Sequence, residues 1–147
     1  MKQTKLMLHH SLTEDSGTVS WSAIRRYHRH TKGWNDIGYN WGIELAGDEY
    51  EVLLGRPTNG PGAHCKEANM NHLALSVCFV GNFDKTPPTP AHVEVFRERI
   101  WLPIAVEQFG LVPGDIVFHR DFSPWKSCPG TAFTRQYLSA FIAGLAV

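Results

Sequence analysis

A stretch of ten residues carries an imidazole, an ammonium group and a thiol: His119, Lys126 and Cys128 in His-Arg-Asp-Phe-Ser-Pro-Trp-Lys-Ser-Cys. Far away in sequence, an apolar run near the N-terminus ends in a second source of imidazole, His9 and His10. Two imidazoles and one thiolate make a three-ligand zinc site. Three protein ligands leave the fourth position to water, which is the catalytic rather than the structural arrangement. A lysine two residues before the thiolate puts a cation beside that chemistry.

Each of these residues also has a simpler reading. His9 and His10 lie on a strand, so their side chains point to opposite faces. One of them at most serves a metal on a given face, and the residues alone leave the choice open. Cys128 sits between Ser127 and Pro129, near Lys126 and Asp121, not in an apolar run. A nearby cation or metal favours its thiolate. Cys78, inside Ser-Val-Cys-Phe-Val, reads as core. Cys65 follows His64, and that pair is the rival metal site. Lys126 is either a solvated loop lysine or a stabiliser of the negative charge that develops on a carbonyl under attack. Tyr39 is an aromatic at a strand start, or a hydroxyl that orients a water. Asp121 is a turn residue or a partner for a ligand imidazole. The basic run from Arg25 to Lys32 reads as the solvated face of a helix.

The elements that must position these groups follow from periodicity. Residues 5–10 read as a strand that delivers the histidine pair, and 11–19 as a polar loop. Ser20 is placed to cap a helix through Trp21, Ile24 and His28, with Val19 stapled onto Ile24 and Gly33 as the stop. Residues 39–46 and 49–55 read as strands joined at Gly47-Asp48 by a two-residue turn. Residues 56–72 have no period. Residues 73–80 read as a buried central strand. Thr89-Pro90 starts a long helix to about Gly110, kinked near Pro103. Residues 115–119 form a short strand ending at His119. Phe133, Tyr137, Leu138, Phe141, Ile142 and Leu145 mark an amphipathic final helix. Strands and helices alternate and one pair is a hairpin, so the expected fold is α/β: a single domain over residues 1–147 with a central mixed sheet flanked by helices.

Composition narrows the function. With 14 basic and 14 acidic residues, the formal charge is zero. That argues against nucleic acid as a partner and gives no polybasic membrane anchor. Hydrophobic residues make up 43%, enough for one core. The start has only three consecutive apolar residues, too few for a signal sequence. Three cysteines fit a reduced compartment better than a disulfide framework. A cytoplasmic protein is expected.

Four segments, in order, carry a family resemblance: Leu-His-His-Ser-Leu-Thr, Gly-Trp-Asn-Asp-Ile-Gly-Tyr-Asn, Met-Asn-His-Leu-Ala-Leu-Ser-Val-Cys-Phe-Val-Gly and His-Arg-Asp followed by Lys-Ser-Cys-Pro. They resemble the type-2 N-acetylmuramoyl-L-alanine amidases, which include small phage lysozyme-type amidases and the peptidoglycan recognition proteins. The likeness runs from about residue 6 to about residue 140. It implies a mixed sheet flanked by helices, and Zn2+ held by His9, His119 and Cys128. It implies catalytic roles for Tyr39 and Lys126, and places His64 and Asn71 near the substrate groove. It implies hydrolysis of the amide between the muramoyl lactyl group and L-alanine, by a monomer acting on peptidoglycan or muropeptides. Non-catalytic recognition members generally lack the cysteine ligand, so Cys128 favours an enzyme. The minimal phage type is stored in the cytoplasm and reaches the wall after holin-type release or lysis. A recycling amidase for soluble anhydro-muropeptides and a non-catalytic binding module are the alternatives.

Overall fold

Five strands make one sheet in the order β3-β2-β4-β1-β5. The computed structural model describes residues 2–13 and 20–147. The strands are β1 (Lys5–His10), β2 (Trp41–Ala46), β3 (Glu49–Leu54), β4 (Ala74–Phe79) and β5 (Ile116–Phe118). β1 runs parallel to β4 and β5, and β4 parallel to β2. Among the described residues, only the β2–β3 hairpin is antiparallel. Its turn falls at Gly47, where φ is +71°, the left-handed conformation such turns require. The mixed sheet expected from the sequence is therefore the observed one.

Strand alternation sorts the side chains into two layers. Leu6 and Leu8 of β1, Leu75, Val77 and Phe79 of β4, and Ile116 and Phe118 of β5 face the main core. That face is covered by α3 (Pro90–Phe96), its continuation to Val106, and the C-terminal segment. Met7 of β1 and Ala74 and Cys78 of β4 face the other side. There α1 (Trp21–Arg26) and the connection between β3 and β4 pack more openly. His9 shares the parity of Met7, so it emerges on this second, open face. His10 points the other way, and its Nδ1 accepts the backbone N–H of Phe83 at 3.2 Å.

Several local expectations change. Ser20 does not cap α1 with its side chain. The buried carboxylate of Glu44, on β2, does so from across the fold, accepting hydrogen bonds from Ser20 N, Ser20 Oγ and Trp21 N. Val19 and its expected staple lie outside the described residues. α1 continues to Thr31 as a wider π-helical turn, and Gly33 leaves it at φ +73°. Thr89 does cap α3, with Oγ1 accepting from His92 N at 3.2 Å, and Pro90 follows at the first position. Around Pro103 the continuation takes the wide i to i+5 register, with Glu107 N on Leu102 O and Phe109 N on Ile104 O. That register absorbs the donor that proline lacks. The 56–72 connection holds a short helical turn at its end, α2 (Met70–Leu73). β5 stops at Phe118, and His119 opens the short helix α4 (His119–Phe122). The final helix, α5, spans only Arg135–Ser139. Leu138 and Ile142 still reach the core, because the turns after Ser139 keep roughly helical spacing.

Two consequences can be measured. Glu44→Ala strands two buried backbone donors, so it should cost about 3 kcal/mol and lower the melting temperature by roughly 6–12 °C. An unchanged thermal midpoint would remove Glu44 from the capping role. His92 is fully buried beneath the sheet, with Nε2 on Ile43 O at 2.8 Å, and burial lowers its pKa to about 4. The unfolded chain therefore takes up this proton first. Between an unfolded value of about 6.5 and about 4, stability should fall as pH falls, by up to about 1.4 kcal/mol per pH unit. Denaturant titrations from pH 7 to pH 4 test this, and the slope should flatten in His92→Gln.

Candidate metal centre and groove

The open face of the sheet gathers three residues from distant parts of the chain. His9 ends β1, His119 begins α4, and Cys128 lies in the loop after it. One donor atom from each lies within 4.8 Å of the others. The His9 and His119 rings are 4.7 Å apart, and His9 Nδ1 is 3.6 Å from Cys128 Sγ. His10, on the opposite face, stays outside the group and meets Cys128 only through its backbone, N to Sγ at 3.4 Å.

The tautomer of His9 follows from its neighbours. His64 Nε2 faces the carbonyl of Ala74 at 3.3 Å, and a carbonyl only accepts, so that nitrogen carries the proton. His64 Nδ1 then accepts from His9 Nε2–H at 2.9 Å. The lone pair of His9 Nδ1 is left directed at Cys128. His64 thus holds the outer nitrogen of a candidate ligand, the arrangement that orients metal-binding imidazoles. It does not pair with Cys65 as the rival site would need. Cys65 lies instead near Glu67, with Sγ 3.5 Å from the carboxylate.

The electrostatics fit a cation. Burial lowers His9 well below the usual imidazole range, with His64 and His119 adding to it. Burial, then Lys126, lowers His119 to about 4. Both rings are neutral near pH 7, with lone pairs free to coordinate. Cys128 differs from its sequence reading. Burial pushes its thiol up to about 12, and the opposing pull of Lys126 and Arg120 does not overcome it. Neighbouring cations alone therefore leave the thiol protonated; a bound metal is needed to hold the thiolate. Soft and borderline donors of this kind, two nitrogens and a sulfur, suit zinc.

Tyr39 packs against this group, 5.1 Å from the His9 ring. Burial, with Cys78 and Cys128 nearby, raises its pKa well above the ordinary value, so its hydroxyl keeps its proton. The segment is pinned by Asn40, whose Oδ1 accepts from Ser76 N at 2.9 Å and whose Nδ2 donates to Arg56 O at 3.0 Å. Cys78 is fully buried under Tyr39, as its apolar run implied. Lys126 is exposed on the rim and lines both the hollow over Cys128 and a groove of about 770 Å³. His64, Asn71, His119 and the exposed Trp125 line the same groove. Asn71 Oδ1 accepts from the backbone N–H groups of His64 and Cys65 at 2.7 and 2.8 Å, so it shapes the wall that carries His64.

Sequence reasoning missed the groups that hold the loop of Lys126 and Cys128. The guanidinium of Arg120 donates to Ser127 O, Gly130 O and Phe133 O, and its backbone N–H donates to Cys128 O. Asp84 ties the loop from the other side through Ser127 Oγ and Thr131 N. A Cβ at Gly130, where φ is +123°, would lie 2.4 Å from the Phe83 backbone, so this close approach requires glycine. The position of Arg120 beside His119 was the available signal. Asp121 does not orient a ligand. It accepts from Phe118 N and pairs with Arg135.

The chain thus combines a mixed five-stranded sheet with a His, His, Cys group beside the ends of its parallel strands. The model of the N-acetylmuramoyl-L-alanine amidase family matches residues 1–131, and the chain belongs to that family. It is 36% identical over 109 residues to peptidoglycan-recognition protein SC2 of Drosophila melanogaster, covering 74% of this chain and 55% of that protein. It is 34% identical over 112 residues to an N-acetylmuramoyl-L-alanine amidase of Homo sapiens, covering 75% and 18%. The matched region thus spans about half, or less, of these relatives. Its fold is like that of peptidoglycan recognition protein-LE, solved in complex with tracheal cytotoxin, a monomeric diaminopimelic acid-type peptidoglycan. There the TM-score is 0.78 at 22% identity, over 98% of this chain and 82% of that one. Among the described residues no helix is long and apolar enough to cross a membrane.

Proposed function

We propose that the chain is a zinc-dependent N-acetylmuramoyl-L-alanine amidase that hydrolyses the bond between the muramoyl lactyl group and L-alanine. The observation that carries this reading is the convergence of donor atoms from His9, His119 and Cys128 within 4.8 Å, with Tyr39 against them and Lys126 on the rim. A zinc ion held by these three would polarise the scissile carbonyl and lower the pKa of water.

The chain's own groups supply the rest. His64 fixes the tautomer that turns His9 Nδ1 inward. The Tyr39 hydroxyl, protonated at neutral pH, donates a hydrogen bond to the attacking water or to the oxygen that gains charge. The Lys126 ammonium stabilises that negative charge as the carbonyl carbon becomes tetrahedral. The C–N bond then breaks, and the alanine nitrogen takes the proton given up by the attacking water and leaves as an amine. His64 and Asn71 form one wall of the groove that receives the substrate. The family membership and the peptidoglycan ligand of a fold neighbour support the substrate class.

The named relatives include recognition proteins, and a binder that does not cleave is the competing reading. The presence of Cys128 beside both histidines favours catalysis, since binding alone has no use for a third metal ligand. We further propose the lytic, phage-type role over muropeptide recycling, on the likeness to the small phage amidases. Incubation with bare sacculi should clear the suspension and expose new amino groups on L-alanine, without new sugar reducing ends. Cleavage of soluble anhydro-muropeptides with sacculi untouched would transfer the assignment to recycling. Reducing ends would exclude an amidase, and tight binding without any product would leave the recognition module.

A further inference from the structure

His119 belongs to a second trio of donors. Cys65 Sγ, a Glu67 carboxylate oxygen and a His119 ring nitrogen also lie within 4.8 Å of one another. Cys65 is 3% exposed, and Glu67 is half-buried at the groove wall. One short segment delivers both, held by the Asn71 side chain through the His64 and Cys65 backbone N–H groups. An independent group points into the same place. Ser123 is fully buried. Its hydroxyl lies against the side chains of both Cys65 and Glu67.

We propose that Cys65, Glu67 and His119, with Ser123 Oγ beside them, form a second seat for a thiophilic divalent cation of the Zn2+ class. Thiolate, imidazole and carboxylate together select zinc or cobalt over magnesium or calcium, which prefer oxygen alone. The seat is weaker than the first, because Glu67 is only half-buried and its carboxylate is accessible to water. It is also antagonistic. All three residues line the groove proposed for substrate, and an ion there draws on a ligand of the first site. This goes beyond the amidase reading, and it can be tested with that first site disabled.

In Cys128→Ser protein with excess Co2+, a thiolate-to-cobalt charge-transfer band should appear in the near ultraviolet. It should vanish in the Cys65→Ser/Cys128→Ser double variant, with circular dichroism checking that both are folded. Glu67→Gln keeps every thiol, and in the Cys128→Ser background it should raise the cobalt concentration for half-maximal signal by about tenfold or more. No band in Cys128→Ser, or a band that survives loss of Cys65, overturns the proposal. Neither outcome depends on amidase activity, so failure of the catalytic reading is seen separately.

Discussion

Cys128→Ser should purify without its tightly bound zinc and without amidase activity. Serine preserves the size of the side chain and the loop held by Arg120 and Asp84, so the fold should survive. What it lacks is the thiolate. Losing even an outer partner of a metal ligand costs about 10–100-fold in affinity, and losing a direct ligand should exceed that range. Metal analysis after gel filtration in zinc-free buffer should fall from about one zinc per chain, the stoichiometry of one three-ligand site, to near zero. Full zinc and full turnover in this variant would sink the assignment of Cys128.

Lys126→Ala and Tyr39→Phe should give the opposite combination: zinc retained, chemistry lost. Neither side chain belongs to the donor group, and Lys126 is exposed on the rim. In the proposed reaction each acts on charge that develops only as the amide is attacked, so kcat should fall by about 100- to 1,000-fold. KM should change little, because interactions stronger in the transition state than in the ground state do not set substrate affinity. Loss of metal in Lys126→Ala, or unchanged kcat in both variants, would remove them from the catalytic roles. A rise confined to KM would make Lys126 a binding residue.

Much of the framework was legible from local chemistry. The β2–β3 hairpin could be read because Gly47 supplies the left-handed turn, and β4 because its run is apolar but for Ser76. Thr89-Pro90 marked a helix start because the cap and the missing proline donor are purely local. Expectations failed where a remote group took over a local task. Glu44 displaced Ser20 as the cap of α1 because its carboxylate arrives across the sheet. The apolar spacing after Phe133 was met by irregular turns, since the core asks only for side chains at that spacing.

For the site, the sequence by itself determined the donors: an imidazole pair on a strand, an imidazole after another strand, and a thiol in a polar loop. With the family's motifs it also named Tyr39 and Lys126, and His9 over His10. Tertiary structure decided the rest and gave the physical reason for that choice. Which of His9 and His10 faces the groove depends on the register of β1 against β4, where one residue exchanges the two faces. That His64 serves His9 and Cys65 adjoins Glu67 depends on how the 56–72 connection folds over the sheet, and no period records that. The protonation of Cys128 turned on burial. A sequence shows its neighbouring cations but not the desolvation that outweighs them.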